Sequence, residues 1–233
     1  FDETAILTAL EVAFGALPRG KRLVPELAPD PLAAGTRPRV AFVESDGSQT
    51  DLRVAFRGPG DHDPREPATE MLLRILDDGM STRLYERICD RLGLCYTVSA
   101  AFEAYEDCGV FDLAAETQHG RAAEVTSQML AVCAEMAASG PSADELDKAR
   151  ARAAWGMRAL LDSPGDLADF YGLATLADVA KTPVERADEL LAVTTAQVRD
   201  AAAELFQPRH LVGVAVGLLP RKEQRRWEKV LAD

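Results

Sequence analysis

Histidine is scarce in this chain: 233 residues contain three, His62, His119 and His210. Their spacing permits none of His-x-x-x-His, His-x-x-Glu-His or His-Glu-x-x-His, which excludes a self-contained zinc site of any of those kinds. Asp61-His62-Asp63 is a local cluster at a helix start, and it reads as solvated capping. Glycine-rich phosphate cradles are also missing, since Gly58-Pro59-Gly60 matches neither a P-loop nor a dinucleotide fingerprint and reads as a turn. No Gly-x-Ser-x-Gly elbow presents a nucleophilic serine. The four cysteines, Cys89, Cys95, Cys108 and Cys133, include no Cys-x-x-Cys pair, so neither a zinc knuckle nor a thioredoxin-like motif is indicated. Apolar or acidic surroundings favour unreactive, mostly buried thiols. Cys89 has basic neighbours in Arg87 and Arg91, but residues two apart on a helix point away from one another.

Positive charge is in deficit: 26 Lys+Arg stand against 38 Asp+Glu, a net charge of −12, which argues against a nucleic-acid partner. No apolar run approaches the roughly 18 residues of a membrane span, so a soluble chain with no membrane span is expected. A signal peptide is not evident either. Phe1-Asp2-Glu3-Thr4 has no initiating Met and leads straight into a helical pattern, which reads as a piece of a longer protein and leaves the compartment unreadable.

The residues that are present describe alternating elements. Residues 4–14 repeat apolar positions at helical spacing and stop at Gly15. Five residues among Leu23 to Pro38 are Pro25, Pro29, Pro31, Gly35 and Pro38, a composition that reads as an interdomain linker. Strands follow at 39–44 and 49–57, expected to pair as a hairpin through Ser45-Asp46-Gly47-Ser48. Asp63 as N-cap, Pro64 at the first position and Glu66 at the third open a helix to about Asp78. A second helix over 81–91 is expected to bury Leu84, Ile88 and Leu92. Strands at 96–105 and 110–117 form another hairpin. A helical region from 120 to 206 is broken at Gly140-Pro141, Ser163-Pro164-Gly165, Thr182-Pro183 and Thr194-Thr195 into about five helices, one opened by the capping box Ser142 to Glu145. A buried strand at 210–217 and a charged helix at 221–231 close the chain. This order predicts an α+β two-layer sandwich, a largely antiparallel sheet with helices packed on one face. Along its strand Tyr96 shares a face with Val98, Ala100 and Phe102, so the pattern alone places it in the core.

Gly79-Met80-Ser81-Thr82-Arg83-Leu84, then a helix, then Leu92-Gly93-Leu94-Cys95-Tyr96-Thr97-Val98-Ser99-Ala100, resembles the "GMSSRL…GLAYSVSA" segment of the pitrilysin/insulinase family of zinc peptidases, in the C-terminal domain of its paired-domain unit. Gln49 in its strand, Gly109-Val110-Phe111, Gly140-Pro141-Ser142 with Glu145-Leu146, and Val193-Thr194 before Val198 follow in the family's order. The resemblance covers nearly the whole chain. It implies three parts: residues 1–22 as the tail helix of a preceding catalytic-type domain, 23–38 as linker, and 39–233 as an insulinase-like C-terminal domain of bacterial type.

The family's N-terminal domain carries a His-x-x-Glu-His zinc site, with the glutamate as general base on metal-bound water. The resemblance therefore implies zinc in the parent protein and none in this chain, which has no catalytic residues of its own. The C-terminal domain closes over a peptide or unfolded protein substrate through a Tyr, here Tyr96, and an Arg seven residues earlier, where this sequence has Cys89. An arginine offers a charged fork of donors and a thiol one weak donor. Two functions follow from the resemblance: the substrate-closing half of a zinc endopeptidase, or a non-catalytic scaffold or regulatory subunit that pairs with a homologous catalytic domain or partner subunit.

Overall fold

The structure, a computed structural model, describes residues 2–21 and 39–232. The chain divides into two units, Phe1–Ala34 and Gly35–Asp233. In the first, helix α1 (Glu3–Phe14) starts where the Asp2 carboxylate accepts the Ala5 N–H at 3.1 Å. The linker expected at 23–38 lies outside the described residues.

In the second unit the described strands are β1 (Arg39–Glu44), β2 (Thr50–Gly58), β3 (Thr97–Ala104), β4 (Gly109–Thr117) and β5 (Leu211–Gly217), forming one sheet of order β1-β5-β2-β4-β3. The pairing of β1 with β5 is parallel, and the β5–β2, β2–β4 and β4–β3 pairings are antiparallel. Alternation sets the faces: Leu52, Val54 and Phe56 of β2 align with Ala115, Leu113 and Phe111 of β4, and all six are buried. The next-door residues Asp51, Arg53 and Glu116 are exposed. One face of the sheet is therefore core and the other is open, the expected two-layer architecture.

The hairpin expected between β1 and β2 does not form. β5 inserts between them, pairing Val40 with Gly213 on one side and Val54 with Gly213 on the other. A strand buried at every second position satisfies both its edges and one face at the sheet centre, whereas β1, with no buried residue, suits an edge.

Helix α2 (Glu66–Leu76) buries Ala68, Met71, Leu72, Ile75 and Leu76 in the common core. It starts later than Asp63 predicts, because that carboxylate accepts the Arg65 N–H at 2.9 Å and grips the Arg65 guanidinium, closing a local turn instead of capping the helix. The expected breaks separate α3 (Ala122–Ser139), α4 (Ala143–Ala159), α5 (Pro164–Leu176), α6 (Pro183–Ala192) and α7 (Thr195–Leu205). Ser142 and Glu145 form the expected capping box, and Thr182 with Glu185 and Thr194 with Gln197 form two more. The closing helix α8 (Arg221–Ala232) buries Trp227 and Leu231, with Trp227 Nε1 donating to Thr126 Oγ1 at 3.0 Å and Glu223 accepting the Ala123 N–H at 2.9 Å.

Candidate functional site

Gly79 opens the corner between α2 and β3 at φ +109°, a conformation that glycine adopts without penalty. Its carbonyl accepts the buried Thr82 hydroxyl at 2.7 Å, fixing the start of the next helix. Arg83 then reaches α4, with Nε 2.6 Å from Glu145 Oε1, Nη2 2.9 Å from Glu145 Oε2 and 3.2 Å from the Gly140 carbonyl. The short motif and the Gly140-Pro141-Ser142 stretch are thus parts of one junction.

The helix widens into a π-helical segment, Tyr85–Arg91. Leu92 N–H donates to the Arg87 carbonyl at 3.2 Å and Leu94 N–H to the Ile88 carbonyl at 3.0 Å. These bonds span five and six residues, wider than the α-helical four. The wider turn rotates later residues away from the core: Leu84 and Ile88 are fully buried as expected, but Leu92 is exposed. Gly93 at φ +57° reverses the chain, as glycine commonly does just past a helix end. The returning backbone is held from β4 and beyond, since Thr117 Oγ1 donates to the Leu94 carbonyl at 2.9 Å and Arg121 Nη1 to the Gly93 carbonyl at 3.1 Å.

Tyr96 stands on this braced turn, one residue before β3, and is 91% exposed. The core placement read from alternation does not hold. Strand periodicity begins only at Thr97, where the ladder with Glu116 starts, so Tyr96 escapes the face occupied by buried Val98. Cys89 lies on the π-helical segment, half buried, with Sγ 3.8 Å from Cys95 Sγ. Burial pushes the Cys89 thiol up, and it pushes Cys95 up to about 12. Cys133, on α3, is fully buried and likewise raised.

The neighbouring arginines are occupied elsewhere. Arg87 Nε donates to Gln128 at 2.9 Å and Nη1 to Glu135 at 2.5 Å, both on α3, while Arg91 pairs with Glu86. Zinc does not fit the described residues: no group of three or more His, Cys, Asp and Glu among them could hold a metal. His119 Nδ1 lies 2.8 Å from Thr50 Oγ1, His210 contacts Arg209 and the Leu205 carbonyl, and His62 is exposed. The sequence reading missed that Cys95 belongs beside Cys89. The visible signal was a glycine two residues before Cys95, able to fold the chain back on the helix.

The family model described as "Peptidase M16 inactive domain" matches residues 1–153. The chain belongs to the peptidase M16 family. This is the pitrilysin/insulinase family whose motifs the sequence carries, and the match is to its inactive domain. An uncharacterized zinc protease of Rickettsia felis is 32% identical over 121 residues, 52% of this chain and 28% of that protein. An uncharacterized zinc protease of Streptomyces coelicolor is 25% identical over 244 residues, 99% of this chain and 51% of that protein. The M16 chain thus spans about a quarter to a half of the length of these relatives. Its fold is similar to the crystal structure of a peptidase M16 inactive domain from Pseudomonas fluorescens, at TM-score 0.80 and 25% identity over 93% of this chain and 52% of that one. No described helix of the M16 chain is long and apolar enough to cross a membrane.

Proposed function

We propose that this chain is the substrate-enclosing half of a zinc-dependent M16 peptidase, with Tyr96 as a peptide contact and the metal bound by a separate upstream domain. One observation carries the reading: Tyr96 is 91% exposed on a turn whose carbonyls are held by Thr117 and Arg121. An exposed ring on a braced backbone combines apolar area with a phenolic donor and loses little freedom on binding, as a peptide contact requires. Residues 1–22 are then the tail helix of that preceding domain and 39–233 the C-terminal domain, joined by 23–38. The substrate is a peptide or unfolded protein.

Hydrolysis by the parent protein is the test. The isolated chain is expected to bind no stoichiometric zinc and to leave casein and fluorogenic peptides intact; chelator-sensitive hydrolysis by the isolated chain would overturn the proposal. In the parent protein, Tyr96→Ala is expected to lower kcat/KM at least about tenfold, the equivalent of roughly 1.4 kcal/mol of lost contact. Unchanged kinetics would remove Tyr96 from the substrate path.

Cys89 favours a second reading. At the position of the family's arginine, a half-buried thiol directed at Cys95 supplies no cationic donor to a peptide. Under this reading the chain is a non-catalytic scaffold or regulatory half that pairs with a catalytic partner. Cys89→Arg separates the two: increased turnover in the parent protein supports the peptidase, and no change supports the scaffold.

A further inference from the structure

The turn that presents Tyr96 also returns Cys95 to Cys89, and presenting a tyrosine does not require that. The two reduced sulfurs are 3.8 Å apart, both half buried. We propose that Cys89 and Cys95 form a reversible disulfide, made by exchange with a low-molecular-weight disulfide, that links the π-helical segment to the foot of β3.

The framework is already in place for the bond. A disulfide needs its sulfurs about 2.05 Å apart, so they must approach by roughly 1.7 Å, a distance within reach of rotation about the two Cα–Cβ bonds. The backbone between them is tied at both ends, by Leu92 and Leu94 to the helix carbonyls and by Thr117 and Arg121 to the turn carbonyls. The bond closes a loop of only a few residues, so the constraint it adds is local to this turn. The linked residue Cys95 directly precedes Tyr96. On the reading of Tyr96 as peptide contact, oxidation would lock that ring relative to the position of the family's arginine.

The chemistry balances in two exchanges. The Cys89 thiolate attacks one sulfur of the small disulfide, forming a mixed disulfide and expelling one small thiolate. The Cys95 thiolate, its proton lost to solvent, then attacks the Cys89 sulfur and expels the second small thiolate. The protein dithiol is oxidised, the small disulfide is reduced, and the two protons lost by the cysteines end on the two released thiols. The exchange balances equally with Cys95 attacking first, since either sulfur can donate to the other across the 3.8 Å contact. Burial raises both thiols, so exchange is slow at neutral pH and accelerates as the pH rises.

Glutathione disulfide is the probe. Incubated with excess at mildly alkaline pH, the 233-residue chain is expected to lose the mass of two hydrogens. Trypsin should then release peptide 88–91 covalently joined to peptide 92–121, and dithiothreitol should separate them. Chymotryptic trimming assigns the bond to Cys95 or to Cys108, which share the longer peptide. Cys95→Ser is expected to stop at a glutathione adduct on Cys89. Absence of the linked peptides, persistent glutathione adducts on the wild type, or a bond from Cys89 to any other cysteine overturns the proposal. The wild-type map decides even where the variant fails to fold. Neither measurement reads peptidase activity of the parent protein, so failure of the Tyr96 reading leaves this result intact, and the reverse holds as well.

Discussion

Arg83 and Glu145, 62 residues apart, meet side-on with both carboxylate oxygens engaged, at 2.6 and 2.9 Å. The same carboxylate accepts the Ser142 N–H at 2.8 Å and so closes the capping box of α4. One side chain therefore completes a helix start and ties it to the Gly79 corner. Two short motifs that look independent in sequence share a single hydrogen-bonding centre.

That geometry predicts a pH dependence. The Arg83 guanidinium, aided by the Ser142 donors and opposed by burial, lowers Glu145 from an ordinary 4.5 to about 2. A carboxylate whose folded value is depressed contributes stability that is fully present above its unfolded value, here about 4.5, and is lost as the pH falls toward 2. Both side chains are partly solvated, so after screening Glu145→Gln is expected to cost about 1–2 kcal/mol at neutral pH. Urea unfolding at a series of pH values checks this: the gap between variant and wild type should shrink through the acid range, and a constant gap would show that charge plays no part.

Gly93 predicts a backbone effect. With φ at +57°, a Cβ there costs roughly 1–2 kcal/mol, although space around the site is open. Gly93→Ala should lower stability by about that amount, and Gly93→Asn by clearly less, since Asn tolerates the left-handed region. Chemical denaturation compares the two. Equal losses would mean that the turn relaxes out of this conformation.

The two tryptophans predict opposite outcomes. Trp227 is fully buried with its indole N–H on Thr126, whereas Trp155 is 72% exposed. Trp227→Ala should destabilise by about 3–5 kcal/mol through the cavity and the orphaned hydroxyl. Trp155→Ala should stay within about 0.5 kcal/mol. Acrylamide quenching of the single-tryptophan variants Trp227→Phe and Trp155→Phe gives an independent check, with the buried indole shielded.

Tyr96→Ala should leave the fold intact, with stability changed by no more than about 0.5 kcal/mol, because the ring packs on little. Thermal unfolding measures this. A large loss would mean that the ring supports the turn, and would weaken its assignment to a ligand.

Much of the fold was legible because its signals are local. Ser142, Thr182 and Thr194, each followed three residues later by Glu or Gln, mark helix starts that need only a few neighbouring residues to form. Alternation in 49–57 correctly divides core from open face, with Leu52, Val54 and Phe56 buried and Asp51 and Arg53 exposed. The expectations that failed depended on partners distant in sequence or on a change of helical register. β1 looked like half of a hairpin because its neighbour in sequence is a strand, yet β5 displaced it. Leu92 looked buried because α-helical spacing was assumed through a segment that widens to π.

The sequence by itself determined the kinds of element, their breaks, the lack of a histidine-based zinc motif and the family to which the chain belongs. These rest on residue type and short spacing. Only the tertiary structure decided that Tyr96 faces solvent, that Arg83 and Glu145 join two motifs, and that Cys89 lies opposite Cys95. Periodicity specifies which side of an element a residue occupies, but whether that side meets core, solvent or another thiol depends on what the rest of the chain packs there.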